Sequence, residues 1–192
     1  MGLYDYTFYD LINRNAVCFN RRPAWCEVDD DRRLTFTEFK EKVDRLAKGL
    51  LKIGLKRGDR LGVFGKNCLE YFLLYGAAAA TGAGVLPVNW RLSAEEALFN
   101  LNDGAPEILF VDSEYQDMIG EINKKLSSVK KLFNLKPPGG DFSDFEALLD
   151  NDGKFEPVDV SADDGAVIIH TAAVTGRPRG ALLSQRNMIC SN

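Results

Sequence analysis

Thr171, Ala172, Ala173, Val174, Thr175, Gly176, Arg177, Pro178, Arg179 and Gly180 form the segment best equipped for chemistry. Its two glycines let backbone amides turn inward, its proline stiffens the bend, and its arginines and hydroxyls add donors. Such a loop can wrap an anion. The amides would donate to phosphate oxygens, and Arg179 would offer a planar, permanently charged fork. On composition alone the same residues also suit a tight surface turn with exposed arginines.

Two other phosphate-binding patterns are absent. Gly176 and Gly180 are not followed by the Lys and Ser/Thr of a Walker loop. Gly82 and Gly84 fail as a dinucleotide fingerprint, because Pro87 takes the third glycine position and the pair follows a helical pattern. They read instead as the cap of a helix and the start of a strand. A hydrolase or thiol enzyme built on the lone His170, with Ser184 or a cysteine as nucleophile, lacks a G-x-S-x-G elbow. His170 ends an apolar run and reads as a structural residue.

The elements that must position the loop show in the apolar spacing. Phe39, Val43, Leu46, Ala47, Leu50 and Leu51 give a helix with one core-facing stripe, opened by the capping-box pair Thr35 and Glu38 and the staple pair Leu34 and Phe39. Gly54 and Gly58 follow its end. Arg60–Phe64 reads as a buried strand, Leu69–Ala80 as an apolar helix and Gly84–Val88 as a second strand. Ser93 and Glu96 open a helix to about Asn102, and Glu107–Val111 is a further strand. Ser113 with Gln116 starts another helix, and Lys131–Leu135 is a strand ended by Pro137, Pro138, Gly139 and Gly140.

A short amphipathic helix over Phe142–Leu149 follows. Ala166–His170 is then a strand leading into Thr171, with a return strand at Ala181–Leu183 and a helix beyond it. This alternation predicts an α/β fold with a largely parallel sheet, helices on both faces, and ligands beyond the carboxyl ends of its strands. We expect residues 1–136 to form a first subdomain and residues 137–192 to begin a second.

Segments in this order resemble one family, the AMP-forming acyl-CoA synthetases and their adenylating relatives. The family's phosphate loop commonly reads T-S-G-T-T-G-x-P-K-G, and here the register reads T-A-A-V-T-G-R-P-R-G. Thr171, Thr175, Gly176, Pro178 and Gly180 match, Arg179 replaces a lysine, and Ala172, Ala173 and Val174 depart. Leu34–Phe39, Gly54–Val63, Asn67 with Glu70, and Gly82–Leu92 extend the likeness upstream. Asn89, Trp90 and Arg91 read as a structural turn, with Trp90 packing.

The resemblance implies the amino-terminal part of the adenylate-forming fold and an ATP-dependent ligase that makes acyl-AMP and then acyl-CoA. Its substrates would be a carboxylic acid, fatty or related, with ATP and coenzyme A, assisted by Mg²⁺. Thr171 and Thr175 would donate hydroxyls, Gly176 and neighbouring amides would cradle oxygens, Pro178 would fix the bend, and Arg179 would supply charge. Missing hydroxyls at 172 and 174 would each forfeit about 1.5–3 kcal/mol of charge-assisted bonding unless replaced. The family's main catalytic residues and carboxyl-terminal domain lie beyond Asn192, so the 192 residues alone are expected to be inactive. An adenylating relative that uses another acyl acceptor, or a non-catalytic nucleotide-binding module with a degenerate loop, are the alternatives.

Composition bounds these readings. A chain 45% hydrophobic and 27% charged can bury a core, and its net charge of −4 argues against a nucleic-acid surface. The apolar run Tyr71–Ala80 is far shorter than the roughly 20 residues of a membrane span. Cys18, Cys26, Cys68 and Cys190 show no C-x-x-C spacing and are expected to be reduced and buried, with Cys26 and Cys68 as small core residues. No secretory signal opens the chain, so a cytoplasmic location is expected. A homodimer is compatible with the sequence.

Overall fold

The computed structural model describes residues 6–28, 30–137, 139–171 and 177–190. In chain order it comprises α1 (Phe8–Cys18), β1 (Pro23–Cys26), β2 (Arg33–Thr35), α2 (Phe36–Lys52), β3 (Arg60–Phe64), α3 (Leu69–Thr81), β4 (Gly84–Val88), α4 (Ala94–Gly104) and β5 (Ile108–Val111). There follow α5 (Gln116–Ile122), flanked by short 3₁₀ turns, β6 (Lys131–Asn134), α6 (Glu146–Leu149), β7 (Gly165–His170), β8 (Gly180–Ser184) and α7 (Gln185–Cys190).

β1 and β2 form a small antiparallel hairpin, while the main sheet has the order β6-β5-β3-β4-β7-β8. Its first five strands are parallel and β8 returns antiparallel to β7. Both faces are covered, because alternate residues of each strand point to opposite sides. Leu61, Val63, Val85, Ile108 and Phe110 pack with α1, α2 and α3 in one cluster. Phe64, Leu86, Val88, Leu109 and Val111 pack with α4 and α5 in the other. The chain leaves β3 through α3 on the first face and leaves β4 through α4 on the second. The two exits diverge at the carboxyl ends of adjacent strands, which opens a crevice there.

Local chemistry sets these elements. Thr35 and Ser93 each cap a helix and are answered by Glu38 and Glu96, so both capping boxes form. α3 is apolar nearly all round and is buried accordingly. It approaches α2 so closely that a Cβ on Gly76 would sit 2.6 Å from Val43 Cγ2. Gly82 ends α3 in the left-handed region at φ 69° and donates its N–H to the Ala78 carbonyl. Glu70, 2% exposed, receives the Arg32 guanidinium from the β1–β2 connection, and this partner pushes the Arg32 pKa up. The contact ties the hairpin to α3.

Three expectations need correction. The helix expected over Phe142–Leu149 is confined to Glu146–Leu149, because the preceding residues continue alongside β6: Asn134 N–H donates to the Ser143 carbonyl at 2.8 Å, and Ser143 N–H to the Leu132 carbonyl at 3.1 Å. Ser113 opens a 3₁₀ turn instead of capping an α-helix, and its hydroxyl donates to Asp112 Oδ1 at 3.4 Å. Of the four free cysteines only Cys68 is buried, whereas Cys18, Cys26 and Cys190 are exposed. Cys26 is therefore not a core residue. Pro138 lies outside the described residues.

Candidate active site at the strand carboxyl ends

The loop singled out by its residue types connects the antiparallel pair β7 and β8. His170, the last residue of β7, stands opposite Gly180, the first of β8. One step outward, Thr171 N–H donates to the Arg179 carbonyl at 3.1 Å, and the Thr171 hydroxyl reaches the same oxygen at 3.4 Å. Thr171 and Arg179 thus close the stem of a hairpin loop. Ala172, Ala173, Val174, Thr175 and Gly176 lie outside the described residues.

A cavity of about 1020 Å³ opens beside the stem. Gly65 and Asn67 border it beyond β3, Pro87 to Trp90 at the end of β4, and His170 with Thr171 at the end of β7. It occupies the crevice where the chain exits of β3 and β4 diverge. Among the expected site residues Thr171, Arg177 and Pro178 line it, while Arg179 and Gly180 stand outside its lining. Gly180 suits a crowded position, since a Cβ there would approach Ile168 Cγ2 to 3.0 Å.

One helix, α4, contacts the residues at both ends of the loop. The Arg177 guanidinium lies over the Phe99 ring, 5.6 Å from its centroid, and His170 Nε2 lies 2.8 Å from Asp103 Oδ2. Phe99, Asn100 and Asp103 share one side of α4 by their three- and four-residue spacing, and Asn100 also lines the cavity. None of the three stands out in the sequence as a site residue. The sequence presents His170 as a structural residue, and no spacing in it points to an acidic partner on α4.

Trp90 is more than packing. It lines the cavity, with Arg91 stacked over its ring at 4.1 Å and the Lys66 ammonium at 5.4 Å. Lys66 in turn pairs with Glu114 at 2.8 Å, a contact that pushes the lysine pKa up and holds the glutamate's down. Trp90 is therefore an aromatic wall with the Arg91 guanidinium over it and the Lys66–Glu114 pair beside it.

The hydrolase reading fails on geometry. Ser184 pairs with Gly165, at the opposite end of β7 from His170, and its hydroxyl donates to Asn187 Oδ1 at 3.0 Å. Burial pushes the Cys68 thiol up to about 12, far from a reactive thiolate. Among the described residues no group of three His, Cys, Asp or Glu side chains is placed to hold a metal ion. None of the described helices is long and apolar enough to cross a membrane.

The model of the family described as AMP-binding enzyme matches residues 12–192. An indoleacetate–CoA ligase of Aromatoleum aromaticum (strain DSM 19018 / LMG 30748 / EbN1) is 34% identical over 157 residues, covering 81% of this chain and 31% of that protein. A fatty acid–[acyl-carrier-protein] ligase, ScoC of Streptomyces coeruleorubidus, is 31% identical over 159 residues, 82% of this chain and 29% of that protein. A crystal structure from Rhodopseudomonas palustris CGA009, assigned as a long-chain-fatty-acid CoA ligase, superposes with a TM-score of 0.90 at 42% identity, covering 99% of this chain and 47% of that one. The chain spans under a third of the length of these two curated relatives. With the fold, the switch-point cavity and the family model in agreement, the chain belongs to the AMP-binding enzyme family, whose relatives here are acyl-activating ligases.

Proposed function

We propose that this chain forms the phosphate-loop part of a longer enzyme that activates a carboxylic acid with ATP and transfers the acyl group to a thiol. The observation that carries this reading is the hairpin stem Thr171–Arg179, set against a large cavity at the divergence of β3 and β4. A carboxylate is a poor electrophile, being anionic and lacking a leaving group. Attack by its oxygen on the α-phosphorus of ATP forms a P–O bond, expels pyrophosphate and leaves an acyl-adenylate. A thiolate then attacks the acyl carbon and AMP departs.

In this scheme the chain's task is electrostatic. The loop amides around Gly176 and the Thr175 hydroxyl cradle phosphate oxygens, Pro178 fixes the bend, and Arg179 supplies charge. Arg177, held over Phe99, stands at the cavity edge, where it meets the same anion. The Thr171 hydroxyl is directed to the Arg179 carbonyl, so its role is to hold the stem, and donation to phosphate would require it to rotate. Mg²⁺ would neutralise phosphate charge when bound. The described residues do not supply a ligand cluster for it.

Coenzyme A is the proposed acceptor and a fatty or aryl acid the proposed substrate, following the acids named for the relatives; a carrier-protein thiol is the alternative acceptor. A cytoplasmic location, a homodimer and a subdomain break after residue 136 belong to the same proposal. Limited proteolysis at Pro137–Gly140 tests the last.

Carboxylate-dependent pyrophosphate exchange, measured on the enzyme that contains this chain, tests the whole. Arg179→Ala is expected to lower ATP-dependent exchange about a hundredfold. Wild-type silence that Ala172→Ser, Ala173→Gly and Val174→Thr together relieve would mean that the natural loop is defective. The missing hydroxyls at 172 and 174 favour one second reading, a nucleotide-binding module without adenylation. Calorimetric ATP binding, with no acyl-adenylate formed from a broad panel of acids, would select it.

A further inference from the structure

One feature of the cavity takes no part in the proposed phosphate binding. The His170 side chain is only 5% exposed, its Nε2 is 2.8 Å from Asp103 Oδ2, and its Nδ1 is buried without a hydrogen-bond partner among the described residues. Asn100, one helical turn before Asp103 on α4, has an equally orphaned Oδ1. Both residues line the cavity. Buried polar atoms without partners are rare in folded proteins, and two of them just behind the wall of one cavity, on residues that line it, point to a ligand that completes them.

The Asp103 carboxylate can only accept, so in the neutral ring it draws the proton to Nε2 and leaves a lone pair on Nδ1. Asn100 Oδ1 is likewise an acceptor. We propose that Asp103, His170 and Asn100 build an acceptor subsite in the cavity, which selects a small-molecule ligand presenting an N–H or O–H donor. Asp103 is the positioning residue, setting tautomer and ring orientation, while His170 Nδ1 and Asn100 Oδ1, both shut off from water without the ligand, accept from it once a small movement of the wall admits it. Trp90 and Phe99 on the same cavity wall suit a flat, ring-bearing donor. An isostere without the donor would leave both acceptors unmet, which is how a polar site rejects an apolar analogue. The inference rests on the cavity being the ligand site of the proposed reaction. It does not depend on which partner brings the donor, the acid or the nucleoside.

His170 is the only histidine of these 192 residues, and in the longer enzyme its nitrogen-15 ring resonances are identified as the ones lost in His170→Phe. In the neutral ring Nε2 is expected to carry the proton and Nδ1 to resonate as an unprotonated acceptor, with Asp103→Ala giving a mixture of tautomers. A proton on Nδ1 in the wild type, or a tautomer unchanged in Asp103→Ala, overturns the dyad. For the acid arm, indole-3-carboxylate is expected to move the Nδ1 resonance and to bind at least about tenfold tighter than benzothiophene-3-carboxylate, which lacks the donor. For the nucleoside arm, adenosine is compared with purine riboside, which lacks the exocyclic amine.

His170→Phe and Asn100→Leu should each abolish whichever preference appears. If no probe moves Nδ1, or if donor and isostere bind equally in both arms, the subsite is wrong. Inorganic tripolyphosphate, followed through Arg177 and Arg179, gives an independent reading. Its failure with donor selection intact would count against adenylation and leave the subsite standing.

Discussion

The block from α2 to β5 and the β7–β8 hairpin belong to one sheet but are covered differently. In the block, Val43, Leu46, Leu50, Leu61, Val63 and Leu74 are wholly buried between α2, α3 and the strands. In the hairpin, Ile169 is 42% and Leu182 is 65% exposed, and β8 is an edge strand. The same kinds of apolar residue therefore do different jobs. The block fixes strand register and the crevice between β3 and β4, while the hairpin carries binding residues with little packing beneath them. Regions with few buried contacts open at low cost, and binding loops are drawn from them.

Truncation in the block should have the largest effect on stability. Leu74→Ala removes a fully buried side chain from the helix that packs on α2 and is expected to cost about 2–5 kcal/mol, read as a lower denaturation midpoint. A loss under about 1 kcal/mol would mean that the block is no tighter than the hairpin. Arg32→Ala comes next. It strands the Glu70 carboxylate, 2% exposed, without its cation, for an expected loss of about 3 kcal/mol. Replacing both residues with apolar side chains should recover part of that loss, because the cost comes from the unpaired charge.

The block was legible for the same reason that it is stable. Its helices open with short-range signals, Thr35 with Glu38 and Ser93 with Glu96, and its strands are apolar runs bounded by turns. Gly82 could be read as a cap because the left-handed region favours glycine. Legibility fell wherever long-range contacts decided the outcome. Phe142 and Ser143 have helical spacing, yet Ser143 bonds along β6 instead. α1 and the β1–β2 hairpin went unread, and the latter is held to α3 by Arg32 on Glu70, a contact 38 residues apart.

In the site, the loop's stem and its switch-point location could be anticipated from residue types and strand–helix alternation. The helix that anchors it could not. Asp103 and His170 are 67 residues apart, and no spacing rule links them. Local patterns encode caps and turns, whereas a partner across the sheet appears only once the strands are in register.

Truncation in the hairpin should cost far less. Leu182→Ala shortens a side chain that is mostly in water, so its cost to global stability should stay within about 0.5 kcal/mol. Leu182 nevertheless stands opposite Ile168 in the ladder, and its methyl carbons lie where a Cβ on Gly165 would be, at 2.9 and 3.3 Å. That contact helps to hold β8 against β7 close to the root of the hairpin. Hydrogen exchange at the amides of β7 and β8 should therefore quicken in Leu182→Ala, while exchange in α2 and α3 stays as in the wild type. Equal acceleration in both regions would mean that hairpin and block open together, and the loop would then be held by the whole sheet instead of by α4 and its own stem.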